Sequence, residues 1–67
     1  MQIHVNGEQR ETDEQTVGAL LRELGIDTTR RGCAVAVNDA VAPRAEWDDT
    51  ALRENDRIEV IRPVQGG

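Results

Sequence analysis

The feature that most constrains this chain is a single helical stripe. Val17, Leu20, Leu21 and Leu24 recur at i, i+3, i+4 and i+7, which lines one face of a helix with apolar side chains. Thr16 precedes the stripe as an N-cap whose hydroxyl can satisfy an orphan N–H, and Asp13 and Glu14 place negative charge near the positive end of the helix dipole. Gly25 stands where a left-handed residue ends a helix, with Ile26 positioned to fold back on the last turn. A helix over 16–24 is too short to hold in water by itself, so its stripe must be buried against a sheet.

The rest of the chain supplies that sheet. Met1, Ile3 and Val5 alternate with Gln2, His4 and Asn6, the period of a half-buried strand. Asn6-Gly7 follows, and that pair accepts the two positive φ angles of a type I′ hairpin turn. The return strand, about Glu8 to Thr12, has Arg10 available to lay its stem over the core with its head in water. After a polar connector, Asp27 to Gly32, the run Cys33-Ala34-Val35-Ala36-Val37 reads as a central strand entering a turn at Asn38-Asp39. Val41 begins a short strand that Pro43 limits to an edge or an end. Residues 44–56 read as a loop with one helical turn, pinned by Trp47 and Leu52, and Asn55-Asp56 marks another turn. Ile58, Val60 and Ile61 form the last strand, and Pro63 closes it. Early and late strands in one sheet of four to five, with one helix across it, make an α+β domain over residues 1–62. Residues 63–67, Pro-Val-Gln-Gly-Gly, remain as a tail.

Composition sets what such a domain can do. A chain of 67 residues makes one core, and it buries only about 60% of its unfolded surface, which argues against a large enzyme pocket. Leu, Ile, Val and Phe total 15 residues, barely above the level at which disorder is the default, so the patterning carries the case for a fold. One cysteine and one histidine exclude an internal disulfide and an ordinary zinc site. Thirteen acids against eight bases give a net charge of −5, the wrong sign for nucleic acid or an anionic membrane. All eight bases are arginine, so no side-chain amine is present for Schiff-base chemistry or for ubiquitin-type linkage. No apolar run approaches a membrane span, and residues 1–15 lack a signal-peptide stretch. These features describe a small cytoplasmic protein that meets other proteins.

Several segments together resemble a known family. They are Met1-Gln2-Ile3 and Asn6-Gly7; Thr16-Val17 with Leu20-Leu21 and Leu24; Ala34-Val35-Ala36-Val37-Asn38; Val41-Ala42-Pro43-Arg44 with Trp47; Asn55-Asp56-Arg57-Ile58-Glu59-Val60; and Val64-Gln65-Gly66-Gly67. Over essentially its whole length the chain resembles the ThiS family, β-grasp (ubiquitin-like) sulfur carriers of bacterial thiamine biosynthesis. The diglycine end alone is weak, but its spacing from the Pro-Arg-x-x-Trp segment on so short a chain is specific. Two positions depart from the family's usual Val-Pro-Arg and Gly-Asp: Ala42 before Pro43-Arg44, and Asn55 before Asp56. Asparagine is the commonest non-glycine residue at a left-handed turn, so the second change is mild.

The resemblance implies a carrier that is a co-substrate and not itself an enzyme. Its reactive group would be the α-carboxylate of Gly67, an anion near neutrality and a poor electrophile until it gains a leaving group. An E1-like adenylating enzyme would join it to AMP using ATP and magnesium, with no cofactor bound by the carrier itself. A persulfide sulfur donor would then convert it to a thiocarboxylate, delivered to thiazole synthase. Gly66, with Gln65 and Val64, would enter the partners' active sites, where a glycine tail accepts whatever φ the channel demands. Extended, residues 63–67 reach about 17 Å, and Pro63 would stiffen their exit.

The remaining candidates carry plainer readings. Ile61 has the opposite parity to Ile58 and Val60, which sets it on the outer sheet face as a docking residue beside Val64. Arg44 is either a contact for an acidic partner or a solvated turn residue. Trp47, the one aromatic residue, packs the loop onto the core more readily than it anchors an interface. Cys33 shares parity with Val35 and Val37 and reads as an inert core thiol, while His4 falls in the outward set. Other functions stay open at this point. The small subunit of molybdopterin synthase shares the fold and the diglycine end, but such chains are longer and lack the Pro-Arg-x-x-Trp segment. A conjugation tag would pass its activated glycine to a lysine. A self-contained enzyme would need a nucleophile–base pair that one outward histidine does not supply. The free chain is expected to be a monomer.

Overall fold

Asn6 and Gly7 have φ of +50° and +85°, the two left-handed conformations a type I′ turn requires. The computed structural model describes residues 1–29 and 31–62. Across that turn β1 (Gln2–Val5) pairs antiparallel with β2 (Glu8–Glu11), with Val5 opposite Glu8 and Ile3 opposite Arg10. The return strand stops at Glu11, one residue short of the expected Thr12. Arg10 is exposed, and so is the whole of β2. Thr12 is instead buried beyond the strand, its hydroxyl donating to Glu23 Oε1 at 2.8 Å and accepting from the Glu14 N–H at 3.0 Å.

The helix α1 (Val17–Glu23) forms where the stripe predicts. Thr16 is extended and its hydroxyl accepts from the Ala19 N–H at 3.2 Å. At the other end the Gly25 N–H donates to Arg22 C=O and the Ile26 N–H to Leu21 C=O, the paired bonds of a Schellman motif. Val17, Leu20 and Leu21 are completely buried, with Leu24 half-buried beside them.

β3 (Ala34–Val37) and β4 (Ala40–Val41) follow, joined through Asn38 and Asp39, both at positive φ. A 3-10 helix (Arg44–Asp49) comes next, then β5 (Arg57–Ile61). The order across the sheet is β2-β1-β5-β3-β4, with β5 parallel to β1 and antiparallel to β3. This corrects one expectation: the middle of the sheet is β5, and β3 lies one place nearer the edge. Nor is the run Cys33–Val37 covered on both faces. Val35 is buried and Val37 half-buried, while Ala34 is exposed on the other side. Alternating valine and alanine form a half-buried strand whose outer residues happen to be apolar.

The core is Ile3, Val17, Leu20, Leu21, Val35, Trp47, Leu52, Ile58 and Val60 with Ile26 and Ala42. Trp47 is 3% exposed and donates its indole N–H to Ala42 C=O at 2.7 Å, which fastens the 3-10 helix over the core. That helix presses on α1 at Gly18, where a Cβ would lie 2.0 Å from Asp48 Oδ1 and 3.3 Å from Asp48 Cα. The close approach lets Arg22, one helical turn on, bond Asp48 at 2.9 Å. Asp56, a buried acid, is satisfied by Asn38 Nδ2 at 2.9 Å and by the Arg53 N–H at 2.8 Å, so it ties two turns together.

Candidate functional site

The sheet order places the strand that leads to the chain's end in the middle of the molecule. β5 is held on both sides: Ala34, Val35, Ala36 and Val37 of β3 pair with Ile61, Val60, Glu59 and Ile58, and β1 pairs with its first half. Gly67, Gly66, Gln65 and Val64, the residues expected to carry the chemistry, lie outside the described residues, as do Pro63 and the tail boundary. What the structure defines is the platform from which they continue.

On that platform Ile61 is 63% exposed, on the face opposite α1, as its parity predicts. Its cross-strand neighbour is Ala34; one row further lie Ala36 and Val41, themselves a register pair, with Val41 78% exposed. The outer face of β5, β3 and β4 thus carries an apolar patch of Ile61, Ala34, Ala36 and Val41, interrupted by Glu59 opposite Ala36 and bordered by Arg57. Cross-strand partners share a face, so this cluster follows directly from the register.

Arg44, the other expected docking residue, has a guanidinium engaged within the chain. It donates to Thr28 C=O and lies over the Trp47 ring, 4.7 Å from its centroid. Trp47 is core, as expected. Cys33 is half-buried rather than buried, packed against the core's rim. His4 faces outward, half-buried in a shallow recess with Asn6, Asn55, Arg57 and Glu59. Among the described residues no three His, Cys, Asp or Glu side chains gather to hold a metal, and no helix is long and apolar enough to cross a membrane.

One residue at the site does more than its sequence reading assigned. Asn6 Oδ1 accepts from the Val60 N–H at 2.8 Å, and Asn6 Nδ2 donates to Val60 C=O at 3.3 Å. The turn explained an asparagine here completely, so nothing in the sequence pointed to a contact between residues 54 positions apart.

A mixed sheet in the order β2-β1-β5-β3-β4, crossed by one helix, with its last strand central, defines a ubiquitin-like β-grasp protein. The comparisons give the family within that class. A model described as ThiS family matches residues 3–67. Sulfur carrier protein ThiS of Thermus thermophilus is 34% identical over 97% of this chain and 98% of its own length. The fold is that of thiamine biosynthesis protein ThiS from Geobacter metallireducens, whose crystal structure covers all of both chains at a TM-score of 0.80 and 27% identity. A thiazole synthase of Paramagnetospirillum magneticum is 35% identical over the whole chain, which spans 20% of that relative's length. The chain belongs to the ThiS family, that of the sulfur carrier proteins it matches over nearly their whole length.

Proposed function

We propose that residues 63–67 are a working tail on a β-grasp body of residues 1–62, and that the α-carboxylate of Gly67 is the group that carries sulfur. The carboxylate attacks the α-phosphorus of ATP on an E1-like adenylating enzyme, with magnesium, and expels pyrophosphate. The terminal sulfur of a persulfide donor then displaces AMP, and a thiol cleaves the resulting acyl disulfide to leave the thiocarboxylate. Thiazole synthase takes that sulfur for the thiazole ring. The carrier binds no cofactor and, when not docked on a partner, is a monomer in the cytoplasm. The observation that carries this reading is the family match, which runs through Gly66 and Gly67 to the chain's end. The full-length match to part of a thiazole synthase supports that enzyme as the partner.

Both partners dock, on this reading, against the outer-face patch around Ile61, together with Val64, with Glu59 as a charged group inside the contact. Small residues at Ala34 and Ala36 leave that face flat, and the exposed Ile61 and Val41 supply apolar area to bury. Arg44, exposed and held over Trp47, would meet an acidic surface of the partner. The immobilised chain is expected to retain purified thiazole synthase and adenylating enzyme, and Ile61→Asp to weaken both by about tenfold or more. Retention of a molybdopterin synthase large subunit in place of thiazole synthase would overturn the pathway; unchanged binding by Ile61→Asp would move the docking face elsewhere.

A further inference from the structure

Asn6 fills two roles, and the second bears on the tail. Successive even-numbered residues of the last strand and its approach turn their backbone groups toward β1: Asp56 C=O accepts from the His4 N–H and Ile58 C=O from the Asn6 N–H, each at 2.9 Å. Val60 is next in that series, but β1 has ended and the chain has turned away at Asn6. The Asn6 side chain stands in for the missing strand. A carboxamide has the donor and acceptor of a peptide group, and it takes both the N–H and the C=O of Val60. This is the last bond on that side of β5 among the described residues. Two residues later the described chain stops at Arg62.

We infer that Asn6 is a positioning residue for the carrier reaction, its side-chain amide holding in place the end of β5, from which the chain continues to its C-terminal segment. The inference rests on the carrier reading above. The turn itself does not require the contact, because glycine adopts φ of +50° more easily than asparagine does. Nor does global stability demand it, because Asn6 is exposed and water can serve the Val60 groups when the amide is gone. What the contact adds is a second hold against fraying at the end of β5, which β3 holds from the other side by pairing Val35 with Val60 and Ala34 with Ile61. Ile61, the proposed docking residue, follows Val60 directly, so fraying would loosen the docking contact and the tail's origin together. A partner would then have to order extra residues, each costing about tenfold in its binding equilibrium.

Asn6→Gly separates the roles, because it keeps the turn and removes the amide. Asn6→Asp keeps the acceptor for the Val60 N–H but sets a carboxylate oxygen against Val60 C=O. Three quantities are measured on the full chain: the melting temperature, amide hydrogen exchange at Val60, and kcat/KM for thiocarboxylate formation with the adenylating enzyme and sulfur donor. The expected result for Asn6→Gly is a melting temperature within about 5 °C of wild type. Val60 exchange should be about tenfold faster or more, and kcat/KM about tenfold lower through KM. Asn6→Asp should lose as much or more. Faster exchange with unchanged kcat/KM in both variants would overturn the positioning role and leave a clamp of the fold alone; unchanged exchange would overturn the clamp itself. A wild-type chain that is never modified, beside a known carrier that is, would overturn the carrier reading and the positioning role with it.

Discussion

Trp47→Ala is expected to leave much of the population unfolded at 37 °C. Emptying a buried tryptophan site costs about 3–5 kcal/mol, and the Ala42 C=O loses the donor that now reaches it at 2.7 Å. A domain of 67 residues holds about 3–10 kcal/mol in total. The substitution therefore removes a large share of the stability, because this one side chain fastens the 3-10 helix and gives Arg44 its stacking surface. Far-UV circular dichroism against urea measures the loss. Trp47→Phe, which keeps most of the apolar area but not the N–H, should fall between wild type and alanine. A loss below about 1 kcal/mol for Trp47→Ala would mean that residues 44–49 are not part of the cooperative core.

The second large effect falls on chemistry with the fold intact. Gly66→Ala adds one methyl group to the segment proposed to thread into partner active sites. A Cβ restricts φ and widens a chain that must fit a channel, and a misplacement of about 1 Å at a reacting centre costs about 100-fold. Thiocarboxylate formation by Gly66→Ala is accordingly expected to fall about 100-fold, with the urea midpoint unchanged. Steady-state kinetics with the adenylating enzyme separate the two quantities. Equal rates for the variant and wild type would show that the channel has room to spare at that position. The glycine pair would then need another explanation.

How much of this was legible in the sequence depended on the range of the interaction. The Asn6-Gly7 turn, the Thr16 cap and the Gly25 helix end are decided by neighbouring residues, and each appears where its chemistry placed it. Ile61's outward direction also followed, because strand parity is local and Ile58 and Val60 fixed the inner face. The strand order was not legible. Cys33–Val37 is the most continuous apolar run, yet β5 takes the middle because β1 and β3 both pair with it, a fact of topology that no local pattern encodes. The same limit hid the Asn6–Val60 contact and the buried role of Asp56, which looked like a turn residue and proved to join Asn38 to Arg53. The proposed reactive end rests on its diglycine spacing and on the resemblance, and lies outside the described residues, which define only the strand that leads to it.

The central claim, that Gly67 carries sulfur, is tested most directly by intact mass. The chain and a Gly67-deleted control are incubated with MgATP, the adenylating enzyme and a sulfur donor, then weighed. The account predicts a gain equal to the replacement of one oxygen by sulfur in the full chain and none in the control. No gain in the full chain, with the same enzymes active on another carrier, would contradict it and reduce Gly66-Gly67 to an inert end.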